Sequence, residues 1–286
     1  MVPGGASVPT ISRIGPFRGS TTTFGALIGS GFRRYATYRQ ATIAGTFTNT
    51  VFGFLRCYVL LAVAASTAGG QPGGYDARQL ATYVWVGQGL LSVIGIWGWT
   101  ELADRIRSGD IAADLLRPVS PLVAYLAADL GRALYAMLTR FGPPLVAGAI
   151  FFPLHTPVRW QTVPLFAISA VLAVTICFGC RYLVNATAYW LQDARGPITF
   201  WTLCSGVLGG LYFPLRLLPE EFTVALWVAT PLPSLLQTPL DVISERDGPA
   251  LQAGLVALQV VWAVVTLGLA AWVQRRAERR LVVQGG

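Results

Sequence analysis

The chain has 286 residues, of which 54% are hydrophobic and only 12% charged, with a formal net charge of +8. A soluble domain carries roughly 25% charged residues, so the sequence reads as one polytopic membrane domain whose apolar residues come in bilayer-length blocks. All 21 basic residues are arginine, which excludes a Walker A loop with its Gly-Lys-Ser/Thr and Schiff-base chemistry on a lysine.

The first 24 residues are rich in Gly, Ser, Thr and Pro and lack the apolar core of a signal peptide, so they are expected to form a flexible tail. "GALIGSGFRRYATYRQ", Gly25 to Gln40, mixes aromatic and basic residues in the manner of a helix lying in the membrane interface. Six apolar blocks follow: Ile43 to Ala65, Ala81 to Trp99, Leu134 to Phe152, Pro164 to Trp190, Ile198 to Phe213 and Leu251 to Val273. Each approaches the roughly 20 residues that a crossing helix needs, although the fifth is short.

Arginine placement predicts the orientation. Arg33, Arg34, Arg39, Arg105, Arg107, Arg117, Arg132, Arg195, Arg275, Arg276, Arg279 and Arg280 fall on one side, assigned to the cytoplasm. The other side has Arg78, Arg159, Arg216 and Arg246, diluted by Asp76, Glu220, Glu221, Asp241, Glu245 and Asp247. Six spans with both ends inside satisfy this asymmetry. The positive charge then serves anionic lipid, and no nucleic-acid partner is expected.

Between the second and third blocks lies "RIRSGDIAADLLRPVSPL", Arg105 to Leu122. Glu101 to Ile106, with Asp104 and Arg105, should continue out of the span. Gly109 weakens that helix, Ser108 or Asp110 can cap a new one, and the new helix should run from about Ile111 to Leu116 and stop at Pro118. Ile111, Leu115 and Leu116 are expected on one face, with Asp110, Asp114 and Arg117 on the other. A short helix of mixed charge is a poor lipid anchor and a good peg for a protein groove.

Later, "PLRLLPEEFTVALWVATPLPSLLQTPLDV" is apolar but broken by Pro219, Pro231, Pro233 and Pro239, so no unbroken helix can cross there. A helix starting at Pro219, favoured by Glu220 and Glu221, should stop near Thr230. A pair of re-entrant half-helices in the outer leaflet, before the last span, is the economical arrangement.

The loop pattern I-x-x-G-x-I-x-x-D-L-L-R-P-x-x-P, carried by Ile106, Gly109, Ile111, Asp114, Leu115, Leu116, Arg117, Pro118 and Pro121, resembles the cytoplasmic loop of bacterial ABC-2 type permeases. The resemblance extends in topology over about residues 25–280, the transmembrane domain, leaving 281–286 as a C-terminal tail. It implies an all-α exporter subunit whose loop forms a coupling helix docking on a separate cytoplasmic ABC ATPase. It also implies a dimer with a second copy or a sister permease. ATP and magnesium would then sit on the partner, with no cofactor bound by this chain and no catalysis on it. The location implied is a bacterial inner membrane.

Arg56, Arg140 and Arg181 are the charges inside the six blocks, with no carboxylate among them. Arg140 and Arg181 can snorkel. Arg56 lies deeper: it either lines a translocation route or is satisfied by backbone carbonyls or a subunit contact. The absence of membrane carboxylates weighs against the main rival, an ion-gradient-driven carrier, since the one histidine, His155, falls in an outer loop. An intramembrane enzyme is a more distant rival, because no nucleophilic triad is visible. "CFGC", Cys177 to Cys180, lacks the further ligands a metal needs and reads as core. Gly206, Gly209 and Gly210 in "SGVLGG" offer a small-residue surface for dimer packing. The nine tryptophans mostly read as interface anchors, and the low membrane polarity favours a substrate that partitions into the bilayer.

Overall fold

A computed structural model describes residues 21–37, 39–191 and 193–284. These residues form helices and connecting turns, without a strand. In chain order the α-helices are α1 (Thr21–Ala36), α2 (Arg39–Ser66), α3 (Ala77–Ile94), α4 (Glu101–Ser108), α5 (Ile111–Leu115), α6 (Pro121–Ala136), α7 (Gly142–Phe151), α8 (Thr162–Ala186), α9 (Arg195–Leu208), α10 (Glu220–Ala229), α11 (Gln237–Ile243) and α12 (Pro249–Gln284). The flexible-tail expectation for residues 1–20 lies outside the described residues. Helix occupies part of what the sequence assigned to tails, because α1 starts at Thr21 and α12 continues to Gln284.

Among the described residues, four helices are long and apolar enough to cross a membrane: Thr42–Ser66, Pro121–Phe151, Thr162–Tyr189 and Pro249–Arg279. Two of the six expected blocks therefore behave differently. The fifth shrinks to the 14 residues of α9, about 21 Å at 1.5 Å per residue, against an apolar core of about 30 Å. The second becomes α3, whose 18 residues include Arg78, Gln79 and Gln88.

α3 is the buried axis of the bundle. Tyr83, Val84, Trp85 and Leu90 have no exposed surface. Both ends of α3 are chemically closed. Asp76 accepts from the Gln79 amide (2.8 Å) while the Gln79 side chain accepts from the Asp76 amide (2.9 Å), a reciprocal cap. At the other end Gly95 is left-handed, with φ 62°. Arg132 of α6 donates to the carbonyls of Ser92, Val93 and Ile94 at 3.0 to 3.1 Å, placing a cation on the negative end of the helix dipole. A Cβ at Gly95 would stand 2.6 Å from Arg132 Nη1, so the cap requires glycine there.

The third span begins at Pro121, not near Leu134. Ser120 caps it by accepting from the Val123 amide at 3.4 Å, and a π-turn over Met137–Phe141 joins α6 to α7. The turn precedes Pro143 and Pro144, which offer no N–H to a regular ladder. This longer helix carries Asp129 and Arg132, which hydropathy alone had left in a loop.

α1 packs closely on α6. A Cβ at Gly31 would stand 2.3 Å from the Ala128 carbonyl, and one at Gly131 would stand 2.1 Å from the Ile28 carbonyl. Small residues thus bring the N-terminal helix against the third span. α8 and α12 pack through Gly179 against Thr266, and Ser169 Oγ donates to Gln259 at 2.7 Å.

The helix connections gather at two ends. At one, the α8 start meets the α11–α12 turn through Thr162 and Glu245, and α3 meets that same turn through Gln79 and the Ser244 carbonyl (3.0 Å). At the other, Asn185 of α8 joins α4, Tyr182 donates to Gln274 of α12 at 2.5 Å, and Arg34 of α1 pairs with Glu101. α1 and the last turns of α12 therefore share an end with α4 and α5, as the arginine asymmetry had grouped them. The Pro-rich segment breaks as expected: α10 starts after Pro219 and is closed by Thr230, and α11 follows a short 3₁₀ turn over Leu232–Ser234.

Candidate functional site

The loop between α3 and α6 rests on buried apolar residues and a buried carboxylate. Ile111 of α5 has no exposed surface and packs with Leu102, Leu122, Phe178 and Tyr182. Asp114, also nearly buried, accepts from Arg105 Nε at 2.6 Å and from the Tyr125 hydroxyl at 3.2 Å, and Arg117 Nη1 lies 3.5 Å away. Glu101 takes both its oxygens to Arg34 (3.1 and 2.9 Å). Asn185 accepts from the Ala103 amide (3.2 Å) and donates to the Trp99 carbonyl (3.0 Å), stitching α4 to α8.

The two faces expected for α5 are rearranged. Asp114 points inward beside Ile111, whereas Leu116 is 89% exposed, with Arg117 and Pro118 exposed beside it. Asp114 stands three residues from Ile111 and so shares its inward face, while Leu116, the αR C-cap residue five positions on, falls on the opposite side. The one carboxylate that meets Arg105 and Tyr125 at once is drawn inside by them. Gly109, with φ 84°, turns the chain between α4 and α5. Asp110 does not cap α5 with its side chain but accepts from Ser108 Oγ at 2.8 Å. Asp104, exposed, is held by Thr100 (2.9 Å) and Arg107 (3.2 Å). Leu115 is half-buried, and Pro121 is buried at the start of α6. Thus Arg105, Asp114 and Arg117 come together, Asp104 and Asp110 stand apart on the surface, and Leu116 forms the tip. Sequence patterning missed Arg34 and Asn185, because their partners lie far along the chain, and Tyr125, because it read as an apolar residue of the following helix.

Deeper, Asp129 accepts from Arg132 Nε (2.7 Å) and from Arg181 Nη2 (2.6 Å), all three side chains being buried. The expectation that the spans hold no carboxylate is thereby corrected, and Arg181 does not snorkel. Arg140 donates to Thr42 Oγ1 at 3.2 Å.

Arg56 faces α3. With the Gln88 amide oriented so that its nitrogen donates to the Asn49 carbonyl, its oxygen accepts from Arg56 Nη1 at 2.8 Å. The buried Nε and Nη2 of Arg56 have no acceptor among the described residues. The glycines of "SGVLGG" serve contacts inside the chain. α9 ends at Leu208, so only Gly206 lies on the helix, and a Cβ there would stand 2.9 Å from Tyr212. Gly209 caps α9, and Gly210, with φ 83°, packs against the Tyr83 hydroxyl. Cys177 and Cys180 are free thiols in the core. Trp85 is also core, not an interface anchor, and Trp201 is fixed by donating to the Ile96 carbonyl at 2.8 Å.

Apolar helices of spanning length around such a loop define a multi-pass membrane protein. A family model described as ABC-2 family transporter protein matches residues 52–285, and the chain belongs to that family: it is a membrane permease of the ABC-2 type. No curated protein and no solved structure gives a significant match.

Proposed function

We propose that this permease is the pathway-forming subunit of an ATP-driven exporter, and that α4 and α5 transmit the work of a separate cytoplasmic ATPase. The observation that carries the reading is the division of labour within the loop. Ile111, Asp114 and Glu101 hold its base to the bundle, while Leu116 and Pro118 are presented bare and Arg117 is exposed beside them, 3.5 Å from Asp114. A protruding apolar residue flanked by a cation suits insertion into a protein groove. A rigid base lets movement of the tip turn α3 and α6 as one body.

In this reading α3 and α9 complete six membrane segments within a dimer of permeases. The α4–α5 end, with both termini, faces the cytoplasm of a bacterial inner membrane. α10 and α11 cover the exit. ATP and magnesium bind the partner, and catalysis belongs there. Arg56, with two guanidinium nitrogens unanswered, is the residue assigned to the route. A bilayer-partitioning substrate fits the apolar span surfaces. The ion-gradient carrier is disfavoured because both oxygens of Asp129 are committed to arginines, leaving it unsuited to ion exchange.

Gentle detergent extraction from native cells, affinity capture of this chain and mass spectrometry should recover a Walker A-bearing ATPase. Vesicles containing this chain alone that move substrate on an ion gradient would replace the proposal with the carrier.

A further inference from the structure

At the α4–α5 end, a cavity of about 370 Å³ opens between α1, α2, α3, α6 and α8. Its walls include Tyr35, Gly45, Asn49, Arg132, Arg140 and Arg181, and no acidic residue among the described residues lines it. The three guanidiniums have one buried counter-charge nearby, Asp129, which Arg132 and Arg181 share. Arg140 has no carboxylate partner among the described residues. Its Nη2 donates to Thr42, and its buried Nε meets no acceptor.

A guanidinium held inside a span without a carboxylate partner, as Arg140 is among the described residues, is costly unless an anion joins it. The cavity is also shaped for one. A Cβ at Gly45 would lie 3.9 Å from Arg140 Nη1 with no nearer atom, so the missing side chain leaves that face of the guanidinium open. Thr42 and Gly45 belong to the first two turns of α2, which puts the cavity near one end of the span. That is the depth at which an amphiphile in the bilayer carries its head.

We propose that this cavity binds a single anionic group, a phosphate or carboxylate, with Arg140 as its principal ligand and Arg132 and Arg181 supplying the surrounding positive field. Arg140 would contribute a charge-assisted hydrogen bond. Arg132 is already occupied by Asp129 and three carbonyls, so it acts by charge alone. The site does not depend on the direction or energy source of transport.

The test is native mass spectrometry of the full chain in detergent, titrated with phosphatidylglycerol, phosphatidylcholine or inorganic phosphate. The expected result is retention of phosphatidylglycerol over phosphatidylcholine. Arg140→Gln should weaken that retention about tenfold, the worth of one charge-assisted bond. Arg140→Lys should recover part of it. Gly45→Leu keeps all three arginines and fills the opening, so it should weaken binding as well. Inorganic phosphate that displaces the lipid identifies a free anion as the ligand; lipid that resists phosphate identifies a headgroup. Either supports the site. Equal retention of the two lipids, or wild-type retention by both Arg140→Gln and Gly45→Leu, overturns it.

Discussion

The two ends of the bundle solve opposite problems with similar residues. At the α10–α11 end, acids and arginines close on one another. Asp241 is fully buried and takes hydrogen bonds from the Tyr75 hydroxyl and from Gln237 (2.7 Å), with Arg216 at 3.3 Å. Arg216 also reaches Asp247 at 3.0 Å, and Arg246 pairs with Asp247. Glu245 accepts from the amides of Val158 (3.0 Å) and Arg159 (2.9 Å) and from Thr162 (2.5 Å). That end is a sewn cap. At the α4–α5 end the pairing stops at the base of the loop, and an apolar tip is left uncovered. Buried polar networks with satisfied partners rigidify, so the cap holds helix starts in place. The open tip has binding energy still to spend on another surface.

The largest effect should come from the interior that joins the two ends. Asp129→Ala leaves two buried guanidiniums without their anion and should cost about 4 kcal/mol, read as a lowered unfolding midpoint in detergent. Replacing the pair together, Asp129→Leu with Arg181→Met, should cost less, because only Arg132 then loses its anion and it keeps the carbonyls of Ser92, Val93 and Ile94 as acceptors. Equal losses would show that the helices do not depend on this pairing.

The cap should respond to pH. Burial pushes the Glu245 carboxyl up, but donors from Thr162, the Val158 and Arg159 amides and His155 outweigh it and hold it at about 2. A carboxyl depressed on folding stabilises above its ordinary range near 4.5, and that stability is lost as pH falls toward 2. Glu245→Gln should therefore cost on the order of 3 kcal/mol at neutral pH. The gap to wild type should close on acidification between about pH 4.5 and 2. A gap independent of pH would mean that the cap is held by shape, not charge.

Within the loop, Asp114→Ala should cost about 2 kcal/mol by leaving Arg105 and Tyr125 unanswered. Asp110→Ala, which loses only an exposed contact with Ser108, should stay within about 0.5 kcal/mol. Thermal unfolding of the two side by side separates base from surface.

Much of this was legible in the chain. Proline spacing fixed both ends of α10, and apolar runs located α2, α8 and α12, because long-range order is not needed to see either. The start of the third span was hidden by Asp129 and Arg132, whose charges look like loop until their partners on α3 and α8 are known. Asp114 and Leu116 exchanged faces because apolar character, and not the three-residue spacing from Ile111 to Asp114, had assigned them; the nearby Arg105 and Tyr125 give the buried carboxylate its partners. The α1–α6 crossing at Gly31 and Gly131 left no pattern that a single sequence displays.

The central claim is that the tip of the loop, and not its base, meets the ATPase. Leu116→Asp touches no partner in the bundle, so its unfolding midpoint should match wild type within about 0.5 kcal/mol. The decisive measurement is affinity capture of Leu116→Asp beside wild type from the same cells, with the co-purified ATPase quantified against the permease. Loss of the ATPase from a permease that remains folded is the predicted result. Undiminished recovery would contradict it and move the contact elsewhere on the α4–α5 end.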